Sequence, residues 1–268
     1  MILSACMSTK VGRYALIAAA LILLNLFATR DMLAASALSN PGPSQMTLSQ
    51  VVGNMIARNA ERARDLTGYR NRRIYTVAYH GFPKNLNATM VVDMQYRAPD
   101  TKKFKVVSES GPKWMIERVL KRLVKSETDA QTQKTREGIN LNRENYNFSN
   151  LEYQPAANGC SYVVSVAPKK PSKYLYRGKI WINDKDFAVC RIEAQPAKNP
   201  SFWIASTAIV QTYEKHGEFW LPEKNKSVSR IRFGGSATLT IQYTDYTITS
   251  RQTPDAGNDV SSASAAAR

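Results

Sequence analysis

Histidine is almost missing from this chain of 268 residues: only His80 and His216 are present. Neither has a second His or a Cys two or four positions away, so both read as solvated turn residues and not as ligands. Carboxylates are scarce too, with 21 Asp and Glu against 37 Lys and Arg. Asp184 and Asp186 flank Lys185, with only Glu193 near, which suits a tight turn better than a calcium loop. No P-loop, G-x-G-x-x-G, G-x-S-x-G or H-E-x-x-H pattern occurs. These absences argue against an enzyme, a metal centre or a cofactor. Cysteine is limited to Cys6, Cys160 and Cys190, too few for a disulfide-built scaffold. Cys160 and Cys190 lie in strand-like runs and read as two buried thiols in preference to one disulfide, a choice the sequence leaves open.

An apolar run long enough to span a bilayer, roughly 20 residues, is lacking as well. Tyr14 to Phe27 is the longest such stretch, interrupted by Asn25 and followed by Arg30 and Asp31. Lys10 and Arg13 precede it, and Ala34, Ala35, Ser36 and Ala37 follow. Basic flank, short apolar core and small-residue exit are the parts of a secretory signal. Residues 1–37 are expected to be that signal, with cleavage after Ala37. An uncleaved N-terminal anchor is the alternative. Leu3-Ser4-Ala5-Cys6 spells a lipoprotein box, yet it precedes the apolar core where such a box should follow. Export places the rest in the periplasm and argues against nucleic acid as the partner of a chain with net charge +16. An anionic membrane surface or wall polymer fits that charge.

Residues 38–46 are a linker by composition. Thr47-x-x-Gln50 then forms a capping box. Leu48, Val51, Val52, Met55, Ile56, Ala60 and Ala63 follow at helical spacing, predicting a helix that ends near Leu66 to Gly68. The period then changes to two. Strands are expected at 72–80, around Met90 to Tyr96, and at 102–109. Gly111-Pro112 opens a second helix, from Lys113 to about Ala130, with Ile116, Val119, Leu120, Leu123 and Val124 on one stripe. Lys113, Arg118, Lys121, Arg122 and Lys125 form its other face, which suits anionic headgroups. Residues 132–145 read as a polar loop. Seven more strands follow, near 148–153, 160–167, 174–183, 188–195, 202–215, 219–233 and 236–248. Gly234-Gly235 marks a hairpin, and residues 251–268 read as a disordered tail.

The expected fold is therefore α+β and mainly β. It is a half-open antiparallel barrel, or strongly curved sheet, of about ten strands over residues 47–250, covered by two helices. Its inward set would be Met90, Val92, Met94 and Tyr96 on one strand and Phe104 on the next. Tyr162, Tyr176, Ile180, Ile182, Leu239, Ile241 and Tyr243 would complete it. Such residues fill an ordinary core, and they also suit a deformable acyl-chain pocket.

Tyr176-Arg177-Gly178-Lys179-Ile180-Trp181-Ile182, followed by Phe187, Arg191 and Ile192, resembles a stretch of the outer-membrane lipoprotein-sorting proteins of the LolA-like superfamily. Ala197 to Trp203 and Gly217 to Pro222 continue the resemblance, as do Tyr96-Arg97-Ala98-Pro99 and Phe104-Lys105-Val106. The resemblance implies a half-open barrel, covered by helices, that shields lipoprotein acyl chains crossing the periplasm; the residues themselves suggest the second helix as a lid, and a monomer is expected. The leading reading is a lipid or lipoprotein carrier, and its runner-up is an envelope-stress sensor that binds a partner's periplasmic segment. The long basic helix after Gly111-Pro112 departs from the family pattern of a short turn and a further strand.

Overall fold

Thr47 caps the first helix through both halves of its box. The Gln50 amide donates to Thr47 Oγ1 at 3.3 Å, and the Thr47 amide donates to Gln50 Oε1 at 2.8 Å. In the computed structural model, which describes residues 46–129, 138–172, 174–199, 202–232 and 234–251, helix α1 spans Leu48–Asp65. The expected leader, nearly all of the linker and the tail lie outside the described residues. Strand β1, Leu66–His80, starts directly after α1, six residues ahead of the expected Arg72. The reason is Leu66 and Tyr69, which the helical pattern leaves out and which are buried on the sheet.

Strands β2 (Leu86–Arg97) and β3 (Thr101–Ser110) follow. Lys113–Met115, Ile116–Leu120 and Lys121–Asp129 then run on as one helix, α2, whose middle five residues have π pitch. The remaining strands are β4 (Tyr146–Tyr153), β5 (Tyr162–Pro168), β6 (Tyr176–Ile182), β7 (Val189–Pro196), β8 (Ile204–His216), β9 (Phe219–Ile231) and β10 (Ser236–Ser250). All pair antiparallel in one open sheet, in the order β3-β2-β1-β10-β9-β8-β7-β6-β5-β4. The chain leaves one edge of the sheet at β3 and re-enters at the opposite edge as β4, with α2 in between. Tracing the meander puts turns 81–85, 169–175, 197–203 and 232–235 at one end, called the upper end here. Turns 98–100, 154–161, 183–188 and 217–218 lie at the lower end.

Two local features explain residue choices. A Cβ on Gly178 would meet the Glu193 carbonyl oxygen at 2.1 Å, so β6 and β7 approach closely only because that side chain is absent. Asn183 Oδ1 accepts from the amides of Lys185 (3.0 Å) and Asp186 (2.9 Å), an Asx turn that joins β6 to β7. Two expectations are corrected. Cys160 and Cys190 form a disulfide, with 6.2 Å between their Cα atoms, because the register of β5, β6 and β7 brings the two ends together. The stretch read as a polar loop buries Ile139 and Leu141 in the core beneath α1, so its described part is a plug and not a solvated connection.

Candidate functional site

Alternation assigns one face of the sheet to the helices. On β2, Met90, Val92, Met94 and Tyr96 are all buried there, while their neighbours are half-buried or exposed. The covered face is divided in two. Under α1, Val51, Val52 and Met55 pack with Tyr162, Tyr176, Ile180 and Ile182. Under α2, Met115, Ile116, Leu120 and Leu123 pack with Tyr75, Met90, Val92, Ile241 and Tyr243, and Phe104, Val119, Val124 and Leu239 are partly buried beside them. Met94 and Tyr96 belong to a third cluster at the lower end with Leu66, Tyr69 and Leu221. The candidate inward residues thus share one face without forming one continuous surface. Thr207, Gln211, Asn225 and Ser227 of β8 and β9, all buried, run between the halves as a polar seam. There the Asn225 amide donates to Gln211 Oε1 at 2.7 Å.

The α2 half has an ionic fastening. Glu127, in the last turn of α2, accepts two hydrogen bonds from Arg73 Nη1 of β1, at 2.8 and 2.9 Å. Lys102 Nζ of β3 donates to the same carboxylate at 3.2 Å. The side chains are almost fully enclosed, Arg73 0%, Glu127 3% and Lys102 4% exposed. The Arg73 guanidinium also lies over the rings of Tyr243 (5.1 Å) and Phe104 (5.4 Å). Burial acts to raise the Glu127 carboxyl, and the charges of Arg73 and Lys102 overcome it, so its pKa falls below the ordinary value. Burial acts to lower the pKa of Arg73, but Glu127 overrides it and the guanidinium stays charged. Arg73 Nη2, Asn71 Nδ2 and Tyr243 Oη, all in the same neighbourhood, have no hydrogen-bond partner among the described residues. Each such buried group costs about 1–3 kcal/mol.

None of Arg73, Glu127 and Lys102 was among the candidates drawn from the sequence. Two of them left a trace there. Glu127 continues the stripe Ile116, Leu120, Leu123 at helical spacing, where an acid is out of place. Arg73 shares the inward parity of Tyr69, Tyr75 and Val77.

On the outer side of α2, Lys113, Arg118 and Lys125 are exposed, while Arg122 and Lys121 are half-buried. Lys121 is engaged by Glu109 at 2.9 Å and Glu117 at 2.8 Å. An open groove of about 560 Å³ lies between β1, β2 and β3, and the alternation puts most of its lining on the uncovered face. Arg70, Arg72, Lys103, Lys105, Asp93 and Asp245 line it, with Met94 and Phe104 below. At the lower end, Asp186 accepts from Trp220 Nε1 at 2.9 Å and pairs with Lys215 at 2.8 Å. Its backbone carbonyl accepts from Arg62, which ties down α1. His216 is half-buried, with 4.7 Å between its ring centroid and that of Tyr246, and not solvated as the sequence suggested.

One apolar face of an open ten-stranded antiparallel sheet, covered by two helices, defines an open half-barrel. No family model matches the sequence, and no curated protein does. Solved structures are similar to it. One is a DUF1329 family protein from Desulfovibrio piger, with 12% identity, 81% of this chain and 95% of that one covered, and a TM-score of 0.39. A LolA superfamily protein from Nitrosomonas europaea has 10% identity, coverages of 78% and 96%, and a TM-score of 0.34. A domain described as an outer membrane lipoprotein-sorting protein, from Vibrio parahaemolyticus, has 12% identity, coverages of 77% and 93%, and a TM-score of 0.35.

Proposed function

We infer that this chain is a carrier of acyl chains, a lipid or lipoprotein carrier of the periplasm, with α2 as the lid of its binding site. The observation that supports this most is the way α2 is held. Its stripe of Ile116, Leu120 and Leu123 rests on methionine, valine and tyrosine side chains, and its last turn is fastened through Glu127 to Arg73 and Lys102. A helix joined to a sheet by apolar contact plus two ionic contacts, Glu127 with Arg73 and Lys102 and Lys121 with Glu109, can lift without breaking any strand pairing. Lifting exposes Tyr75, Met90, Val92, Ile241 and Tyr243, an apolar trough suited to acyl chains. Each CH₂ buried there is worth about 0.8 kcal/mol. Separation of Glu127 from Arg73 would leave the guanidinium, Asn71 Nδ2 and Tyr243 Oη to meet the ester or headgroup oxygens of the ligand. Release then requires only that the lid and its ion pair re-form, with no covalent chemistry.

The residues 47–250 act as one unit in this reading, behind a leader that directs export. The test is retention of a fluorescent acylated peptide by the native chain and by Leu120→Asp with Leu123→Asp. Circular dichroism checks that the sheet persists. Retention by the native chain and its loss in the variant is the expected result. Equal retention in a folded variant removes the lid from the account.

A further inference from the structure

Among the described residues five large apolar side chains stand in water, Phe82, Val106, Val107, Trp114 and Phe202. The three aromatics of that group all lie at the upper end of the sheet. Phe82 is 84% exposed in the β1–β2 turn, Phe202 67% in the β7–β8 connection and Trp114 42% at the start of α2. These tips are joined into one rim. Tyr79 Oη donates to the carbonyl of Phe82 at 3.2 Å and lies 3.5 Å from that of Gly234 in the β9–β10 turn. The Arg232 amide donates to the carbonyl of Trp203 at 2.9 Å, and the Arg232 guanidinium lies over the Phe202 ring at 4.9 Å. With β10 and β9 between β1 and β8, Phe82 and Phe202 stand about 15 Å apart along the rim.

Charge follows the same polarity. The four upper turns carry Lys84, Lys169, Lys170, Lys198 and Arg232, and no aspartate or glutamate. The lower turns carry Asp100, Asp184, Asp186 and Glu218, with Lys185 as their one cation. At the upper end Glu109 and Glu117 are both engaged by Lys121, and Glu144 lies ahead of β4, at the edge of the sheet farthest from β1 and β2. Exposed aromatics among unpaired cations, with acids at the opposite end, match the interfacial layer of an anionic bilayer.

We propose that the upper rim is a membrane-docking surface for anionic lipid. Phe82, Trp114 and Phe202 enter the headgroup layer, and Lys84, Lys169, Lys170, Lys198 and Arg232 meet the phosphates. This differs from docking through the basic back of α2, and it stands whether or not the covered face takes an acyl chain. It orients the molecule with the start of α2 at the bilayer.

The four tryptophans make the orientation measurable. Trp114 and Trp203 lie at the rim, whereas Trp181 and Trp220 are near the lower end, and residues 1–45 contain none. The full chain is mixed with vesicles of phosphatidylglycerol and phosphatidylcholine that carry bromine on their acyl chains, and tryptophan quenching is followed. Quenching is expected with anionic vesicles and to weaken with added salt. It should survive Trp181→Phe with Trp220→Phe and vanish in Trp114→Phe with Trp203→Phe. Phe82→Ser with Phe202→Ser, two exposed positions, should lower partitioning at least about tenfold. Arg118→Glu with Lys125→Glu should leave it within about twofold. Quenching that persists in the Trp114/Trp203 variant, or partitioning lost through Arg118 and Lys125 instead of the phenylalanines, overturns the proposal. So does an absence of quenching at low salt, or equal quenching by pure phosphatidylcholine.

Discussion

Replacing Glu127 by alanine removes the one carboxylate that two enclosed cations share. Arg73 and Lys102 would then be buried at 0% and 4% exposure with their acid gone. Truncating one side of a buried ion pair costs about 3–5 kcal/mol, mostly because the remaining charge is uncompensated. The complete enclosure of Arg73 places this site toward the upper end of that range. For a domain of this size the loss corresponds to a fall in Tm on the order of 10 °C. The relief open to the molecule is local, because lifting α2 lets water reach both cations while every strand pair stays intact. Hydrogen exchange by peptide fragments is therefore the assay. Amides of 113–129 should lose protection strongly in Glu127→Ala, and those of β6 to β9 should lose little. Replacing all three by apolar residues, as in Arg73→Met, Lys102→Met and Glu127→Leu, should restore most of the stability. That variant should also hold the lid shut and take up an acyl probe more slowly. If α2 in Glu127→Ala remains as protected as in the native chain, or protection falls evenly across the sheet, the latch reasoning fails.

Acid should act on the same group. The folded carboxyl of Glu127 lies below its ordinary value of 4.5, so its contribution is complete above that pH and disappears as pH falls through the lower folded value. Protection of α2, taken relative to intrinsic amide exchange at each pH, should then be constant from pH 5 to 8 and fall only in stronger acid, and a loss of protection as pH drops from 7 to 5 contradicts the assignment. Reducing Cys160–Cys190, which closes a separation of 30 residues, should cost roughly 3–4 kcal/mol in the unfolded-chain model. A thermal melt with and without reductant measures it, and an unchanged Tm would mean that the strand register alone fixes this end. Gly178→Ala forces a Cβ to within 2.1 Å of the Glu193 carbonyl and should destabilise by about 1–3 kcal/mol. Urea denaturation reads that loss, and no change would show that β6 can shift.

Much of the fold was legible because its signals are local. Thr47 and Gln50 announce α1, and the alternation through Met90, Val92, Met94 and Tyr96 assigns a face without knowledge of the partner strand. Ten strands and two helices follow from such patterns. The fastening was not legible, because Arg73 and Glu127 are 54 positions apart and meet only after β1 has paired and α2 has folded back over it. The polar seam was hidden for a related reason. Gln211 and Asn225 look like solvent positions in sequence, and only the coverage of the sheet buries them. Ile139 and Leu141 sit among polar neighbours whose composition masked their role as a plug. The disulfide depended on a register that two strand-like runs cannot specify by themselves. The greasy face was visible as a set of residues, but its division between two helices came from packing.

Occupancy of the trough beneath α2 by an acyl chain is tested most directly by native mass spectrometry of the chain taken from its own envelope. It predicts a mass increment of one lipid or acylated peptide, released by delipidation and regained on mixing with the extracted ligand. Arg73→Met, Lys102→Met and Glu127→Leu together should carry less of it. A ligand-free native mass, with no uptake of lipid or acylated peptide by a chain whose sheet is intact, would contradict the carrier reading.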